Sequence, residues 1–584
     1  MASNWAPAQV PTVFDDATIG NGGTANANAA VGVLGLNVGR VVGASNSSGT
    51  VNVTTGGLTG AGTGQLVVGS TDNNFTSGTA NGTVSVDGNV SGFFLTLVGS
   101  SGFASSGNAT GDLNVGGSLQ GGANLLVGTS AGSADAVGIA VIGNGISDIG
   151  LVNVGTSGSS ANTATASATG ELSVLAGGIQ GTGSDLRIGV TTGPGTAMGT
   201  VTVTGGISNF SDVRVGNVQL SLAAADSGPA TGVLNIQTGN LTGAGTGQLV
   251  VGSTDNNFTS GTANGTVSVD GNVSGFFLTL VGSSGFASSG NATGDLNVGG
   301  SLQGGANLLV GTSAGSADAV GIAVIGNGIS DIGLVNVGTS GSSANTATAS
   351  ATGELSVLAG GIQGTGSDLR IGVTTGPGTA MGTVTVTGGI SNFSDVRVGN
   401  VQLSLAAADS GPATGSLSLI DGGLSATNLV IGVTEAPNTA TATGTFDLNK
   451  NLAEVADTLT LGNGATISLD FEGFLRGVEY GAINANQAIL DGTLELNFLF
   501  QPAFGVFDLI VSGSDTGITG DFDSVQFFGL ADGTLTNFGI VLDQGVETWR
   551  LQIGPAQIPE PGTLIAVTTA LVLLGLTRRR RASL

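Results

Sequence analysis

The residues that could perform acid–base chemistry in this chain are few, and nearly all are carboxylates or arginines. The 584 residues include 38 Asp and Glu against 12 Lys and Arg, with no His and no Cys. Without imidazole or thiol groups, the usual zinc and copper sites, disulfides, thiol nucleophiles and His-based triads are excluded. The net charge of −26 argues against binding nucleic acid through charge. We therefore expect no cofactor, no metal site and no nucleic-acid partner.

One catalytic class stays open, that of the polysaccharide lyases and hydrolases built on β-helices, which use clustered Asp and an Arg or Lys base. Lys450 is the only lysine. Arg187 and Arg214 alternate with apolar residues, so we expect them to point outward, each paired with an acid such as Asp185 or Asp212. The same residues recur 183 positions later, as Arg370 and Arg397. Such repetition favours a scaffold over an active site, and we predict no catalytic residues.

Two acidic turns could bind calcium weakly through oxygen ligands. They are Asp72-Asn73-Asn74 and Asp87-Gly88-Asn89. Neither matches the spacing of an EF-hand loop or of a calcium-binding nonapeptide repeat. Asp, Asn and Gly are the residues that tight turns require, so turn formation explains both segments better.

Internal repetition is the dominant feature of the sequence. Residues 58–232 and 241–415 are identical, which indicates a recent duplication or an error in sequence assembly. Within each copy a Gly is followed by apolar residues two and four positions later, at intervals of about 30 residues. These glycines are Gly49, Gly82, Gly111, Gly138, Gly170, Gly199 and Gly232, and the series continues through Gly415 and Gly444.

Each unit of about 30 residues contains two or three short segments with alternating apolar residues, which predict strands with one buried face. Many such units in tandem predict an all-β protein, a parallel β-solenoid of about 14–15 coils over residues 34–445. At about 4.8 Å per coil the rod would be on the order of 70 Å long. An array of β-sandwiches is the alternative, but the units are far shorter than the roughly 100 residues of a sandwich.

The segments on either side of the repeats differ from them. Residues 1–33, with Trp5, Val10-Pro11 and Asp15-Asp16, resemble the mature start of exported bacterial β-solenoids of the autotransporter-passenger type. We predict that they cap the first coil. Residues 446–554 are richer in Phe and acids and resemble the closing module of the same class, so we predict a C-terminal β cap.

The last 30 residues, 555–584, have three ordered parts. Pro559-Glu560-Pro561 is a stiff, extended tripeptide. Residues 563–577 are uncharged and mostly apolar, and would span about 22 Å as a helix, short of a bilayer core of about 30 Å. Four arginines follow, Arg578, Arg579, Arg580 and Arg581. Together, the apolar segment and the arginines predict a short transmembrane helix. The arginines stay in the cytoplasm and stop transfer of the chain across the membrane.

These three parts resemble the PEP-CTERM sorting signal of Gram-negative bacteria. The resemblance implies that exosortase, a membrane-embedded processing enzyme, recognises Pro559, Glu560 and Pro561 and removes the helix and the Arg block. The protein would contact the export machinery and the inner membrane, then reach the cell surface or extracellular matrix. The alternative is an ordinary single-span membrane anchor.

The sequence therefore predicts an exported structural or adhesion protein of the surface layer, exopolysaccharide matrix or biofilm, with exopolysaccharide or surface components as partners. The alternative function is a polysaccharide-active enzyme on the same scaffold. Residues 1–25 have neither a basic region nor an apolar region of a signal peptide. Because proteins with such a tail require one for export, we expect a misplaced start codon or a trimmed sequence.

Overall fold

The computed structural model describes residues 11–554, except 73–76, 104, 159–165, 220–226, 256–259, 286–287, 342–348, 403–409 and 544. Within these residues the chain is an all-β, parallel β-solenoid of about 16 turns. The prediction of an all-β, parallel β-solenoid is thus confirmed. The predicted transmembrane helix lies outside the described residues.

Each turn contributes strands to three faces, and each face is a parallel sheet that runs along the rod. Face 1 has the longest strands, which pair in register from one turn to the next. Its strands are Gly23–Ala27, Ser47–Val53, Ala80–Val86, Ala109–Val115, Ala136–Ile142, Ser167–Val174, Thr196–Thr204, Ala230–Thr238, Ala263–Val269, Ala292–Val298, Ala319–Ile325, Ser350–Val357, Thr379–Thr387, Ala413–Asp421, Ala442–Asn449, Ala465–Phe471, Thr493–Phe498 and Ser524–Phe528.

Face 2 consists of short strands that follow face 1 in each turn. They are Val31–Gly32, Leu58–Thr59, Val90–Ser91, Leu119–Gln120, Ile146–Ile149, Ile179–Gly181, Ile207–Phe210, Leu241–Gly243, Val273–Ser274, Leu302–Gln303, Ile329–Ile332, Ile362–Gly364 and, near the end, Gly505–Ser512. Their brevity reflects the single aliphatic residue that most of them supply to the core.

Face 3 completes the turn. Its strands are Asp16–Ile19, Gly35–Val38, Gln65–Val68, Leu95–Val98, Asn124–Val127, Leu151–Val154, Leu186–Ile188, Val213–Val215, Gln248–Val251, Leu278–Val281, Asn307–Val310, Leu334–Val337, Leu369–Ile371 and Ile518–Gly520. Four later strands each span faces 2 and 3, namely Ile390–Val398, Leu424–Ile431, Leu452–Leu461 and Ala482–Leu490.

The core is one continuous apolar cluster from Ala17 to Ile553. Inward residues of equivalent strands stack in ladders, such as Val53, Val86 and Val115 on face 1. Aliphatic side chains fill most of the rod. Near its C-terminal end they give way to stacked rings, since Phe471 lies 4.4 Å from Phe498 between ring centroids.

Two stacked rows of glycine meet where face 3 ends and the inward part of face 1 begins. Gly69 ends a face 3 strand with φ at +57°, a conformation that glycine adopts without steric cost. Gly82 opens the inward part of the next face 1 strand, and a Cβ atom there would overlap the backbone of Gly69 and Val38. The regular Gly spacing in the sequence therefore reflects a backbone contact that admits no side chain.

Beyond this glycine contact, the interior of the rod has a second, smaller compartment, which is filled by small side chains. Bridges between successive turns stack Ser101, Ser130, Ser157 and Thr191, all of them buried. Small residues pack against this stack, as where Ala230 and Ala263 cluster with Val218. Side-chain oxygens also accept hydrogen bonds from the backbone of the next turn here. The backbone amide of Thr79, for example, donates to Asn46 Oδ1 at 2.8 Å.

The turn count is about 16 rather than the predicted 14–15, because the Gly pattern does not mark every turn. The first face 1 strand, Gly23–Ala27, contributes Ala instead of a larger aliphatic residue. The last three begin at Ala465, Thr493 and Ser524, without the opening Gly. Strand pairing is continuous across residues 33 and 446, where the sequence analysis divided the chain.

We predict that Gly82→Ala lowers the free energy of unfolding by at least about 1–3 kcal/mol, because the new methyl group meets backbone that cannot rotate away. Gly43→Ala is the matched control, since a Cβ atom at Gly43 meets nothing within 4 Å. Chemical denaturation followed by circular dichroism measures both variants. Equal stability of the two would show that the glycine contact does not constrain the fold.

Candidate functional site

The predicted sorting residues Pro559, Glu560 and Pro561 lie outside the described residues, as do Arg578, Arg579, Arg580 and Arg581. The described chain stops at Gly554, directly after the strand Val546–Ile553. Gly554 therefore marks the C-terminal end of the described part of the rod. Among residues 11–554 with their gaps, no helix has the length and hydrophobicity to cross a membrane.

The arginines that were candidate bases form ion pairs on the outer side of face 3. Arg187 Nη2 lies 2.7 Å from Asp185 Oδ2, and Arg214 Nη2 lies 2.8 Å from Asp212 Oδ2. Arg187 and Arg214 are register partners on adjacent strands. The two guanidinium groups are therefore neighbours, and each is neutralised by its own carboxylate. The predicted outward Arg–Asp pairing is confirmed.

The second copy repeats this ladder. Arg370 and Arg397 pair with Asp368 and Asp395 at 2.7 and 2.8 Å. In all four arginines Nε is buried and has no hydrogen-bond partner. Their side chains are 15–32% exposed, so these cations are held against the sheet. An arginine fixed in this way is poorly placed to take a proton from a substrate.

Asp395 of this ladder accepts hydrogen bonds from the side chains of Asn428 and Arg397. Burial raises its pKa, but hydrogen bonds from Asn428 and Arg397 outweigh burial and hold the pKa below its usual value. Asn428 Nδ2 donates to Asp395 Oδ1 at 2.8 Å. At the equivalent place in the first copy, the backbone amide of Gln248 donates to Asp212 Oδ1 at 2.9 Å.

A shallow groove runs beside the ladder, between face 3 and the turns that follow it. Leu278, Leu280 and Leu309 are half-buried along it, with Arg214 and Asn336 also in its lining. Its volume is ≈ 570 Å³. The hydroxyl groups of Ser283 and Thr312 bond to each other at 2.8 Å along one side. The groove is thus partly apolar, and the arginine in its lining is already paired with aspartate.

Face 1 is the broadest regular surface. Its outward side chains form rows across the turns, and most of them are hydroxyls or amides, such as Thr50 beside Thr83 and Asn52 beside Ser85. Acids interrupt the rows at Asp112, and apolar residues at Val137 and Ile139, each 39% exposed. The identical segments repeat Thr83, Ser85, Asp112, Val137 and Ile139 as Thr266, Ser268, Asp295, Val320 and Ile322.

Lys450 lies near three acids, Asp447, Asp470 and Glu472, on this face towards the C-terminal end. Lys450 Nζ lies 2.7 Å from Glu472 Oε2, and Glu472 raises the pKa of Lys450. Burial raises the pKa of Asp470, and the charges of Asp447 and Glu472 add to this effect. Asn497 donates to Asp470 at 3.1 Å. A half-buried carboxyl with a raised pKa is a form suited to general acid chemistry.

The two acidic turns, for which the sequence favours turn formation over calcium binding, have partners within the chain, such as the backbone amide of Ser118, which donates to Asn89 Oδ1 at 2.9 Å. Asp72 Oδ1 lies 2.7 Å from Arg40 Nη2, and it is therefore engaged with a cation of the chain. Asn73 and Asn74 are outside the described residues. Within the described parts of the chain, no group of three or more acidic residues is arranged to hold a metal ion.

The sequence analysis missed one surface, an antiparallel hairpin at the C-terminal end. Thr536–Asp543 pairs with Val546–Ile553, which in turn pairs antiparallel with Gly505–Ser512. The signal was present in the sequence: two alternating segments flank Gly545, whose φ is +84°, and this is a hairpin pattern.

We predict that Asn428→Ala raises the pKa of Asp395 and weakens its contribution to stability. A carboxyl whose pKa is lower in the folded state than its unfolded value of 3.8 stabilises the protein at pH values above 3.8. This stabilisation is lost as the pH falls through the folded pKa. The variant should therefore lose stability at pH 7 and approach the parent at about pH 2–3. Urea midpoints at both pH values measure this.

Gln248→Ala is the control, because a backbone amide that survives the substitution makes its hydrogen bond to Asp212. An equal loss at both pH values for Asn428→Ala would mean that Asn428 acts through packing and not through the Asp395 carboxylate.

Comparisons with known proteins add no relative. No protein-family model, no curated protein and no solved structure matches this chain.

Proposed function

We propose that this protein is an exported structural or adhesion protein of the cell surface or extracellular matrix. One observation carries the proposal, the outer side of face 1. Its hydroxyl and amide side chains repeat from turn to turn in register, at the spacing of about 4.8 Å that paired strands impose. Such a surface offers many equivalent weak contacts to a polymer, and their summed strength depends on rod length.

The charges of the rod support a role outside the cytoplasm. Acids outnumber Lys and Arg 38 to 12, and four of the basic residues are Arg578, Arg579, Arg580 and Arg581. Loss of that block would leave a more acidic rod, suited to a soluble surface protein. Exopolysaccharide or surface components are the proposed partners of face 1.

The proposed route is a PEP-CTERM signal at the C-terminal end. Residues 563–577 would cross the inner membrane, the four arginines would remain in the cytoplasm, and exosortase would act at Pro559-Glu560-Pro561. The last described strand, Val546–Ile553, precedes this motif in the sequence, so processing there would leave the described strands of the three faces intact.

The full chain, placed behind a cleavable secretion signal in a bacterium that has an exosortase, tests this route. We expect the parent to leave the inner-membrane fraction with a reduced mass, and Glu560→Ala to remain in that fraction at full mass. Pro555→Ala is the matched control and should behave as the parent. Release of Glu560→Ala at the parental rate would contradict exosortase recognition.

A polysaccharide-active enzyme is the second candidate, favoured by the grouping of Asp470, Asp447, Glu472 and Lys450 on face 1. If the protein has the proposed structural or adhesion role, we expect the purified chain to bind acidic or neutral polysaccharides in co-sedimentation and to degrade neither. Product formation that Asp470→Asn abolishes would establish the enzyme instead. Asp112→Asn, on the same face, is the control for a general effect of charge.

A further inference from the structure

Within the part of the chain that the structure describes, the hairpin at the C-terminal end leaves one strand with an unpaired edge. The strand Thr536–Asp543, here called the edge strand, pairs on one side with Val546–Ile553. No other strand among the described residues pairs with its second side. A row of free backbone N–H and C=O groups is a template for a further strand.

The side chains of the edge strand are apolar and exposed. Phe538, Ile540 and Leu542 are 44%, 39% and 65% exposed. They share a side of the hairpin with the fully buried Trp549 and Leu551, and Phe538 stacks on Trp549 with ring centroids 5.6 Å apart. The apolar core therefore continues to the edge strand and meets solvent there.

The sequence of the edge strand is self-complementary about Ile540. In an antiparallel pair of two identical strands centred on Ile540, Phe538 of each copy lies opposite Leu542 of the other. Val541 lies opposite Gly539, where a Cβ atom would meet nothing within 4 Å, so the valine has room. Both cores then lie on the same side of a continuous sheet.

The polar ends of the edge strand also match. In the same register Asn537 of one copy lies opposite Asp543 of the other, so an amide meets a carboxylate. Asp543 is the only charged residue of the edge strand, and Arg550 of its own chain holds it at 2.7 Å. Pairing therefore brings no uncompensated like charges into contact.

We propose that the partner of this edge is a second copy of the chain. Two rods join end to end through their edge strands, in a two-fold dimer that doubles the rod and closes the exposed end of each core. This interaction goes beyond the proposed surface function and does not depend on it.

Disulfide cross-linking of the full chain in mild detergent tests the register. The chain has no native cysteine, so Ile540→Cys places a single thiol on the two-fold axis, where paired Cα atoms lie about 4.5–5.5 Å apart. We expect a covalent dimer on oxidation, formed roughly tenfold faster than with Ile322→Cys because the thiols are held together. Ile322 is the matched control, with the same exposure of 39% on face 1.

Light scattering tests the contribution of the apolar edge. The parent should have the mass of a dimer. Ile540→Lys should weaken dimerisation on the order of tenfold, because it places like charges on the two-fold axis. Ile322→Lys should leave dimerisation unchanged. A monomeric parent overturns the proposal. So does a dimer that Ile540→Lys leaves intact, which would indicate association through residues 555–584. If Ile540→Lys fails to fold, the cross-linking rates decide.

Discussion

The fold depends on a backbone contact between two stacked rows of glycine. Gly69 ends a face 3 strand and Gly82 opens the inward part of a face 1 strand, and neither position has room for a Cβ atom. This contact fixes where face 3 stops and separates the aliphatic core from the small Ser, Thr and Ala compartment. Because the same pair of positions recurs turn after turn, each turn adopts the path of its neighbour.

Much of this architecture can be predicted from sequence, since period-two alternation and recurrent Gly both have a direct structural cause. The outward Arg–Asp pairs follow from the same alternation. The number of turns was underestimated because Ala25 supplies too weak an apolar signal and Ala465 replaces an opening Gly. The hairpin was missed because Val546–Ile553 alternates as the solenoid strands do, and alternation does not distinguish parallel from antiparallel pairing.

The surfaces of the rod differ in how their polar groups are used. On face 3, carboxylates neutralise the four arginines locally, and partial burial makes these pairs part of the sheet. On face 1, most outward groups are neutral hydroxyls and amides. The acidic residues are most frequent towards the C-terminal end of the rod, since residues 446–554 hold 15 of the 38. Residues that could catalyse a reaction are concentrated around Lys450, a position that the duplication did not copy.

The duplication has a genetic consequence. The two identical segments begin 183 residues apart, an interval of six whole turns, so a rod with one segment more or fewer keeps every strand in phase with its neighbours. Unequal recombination between the two segments would then yield alleles that differ in length by about 29 Å, the rise of six turns of paired strands. The length of the rod would vary in fixed increments among descendants, with the chemistry of each face preserved.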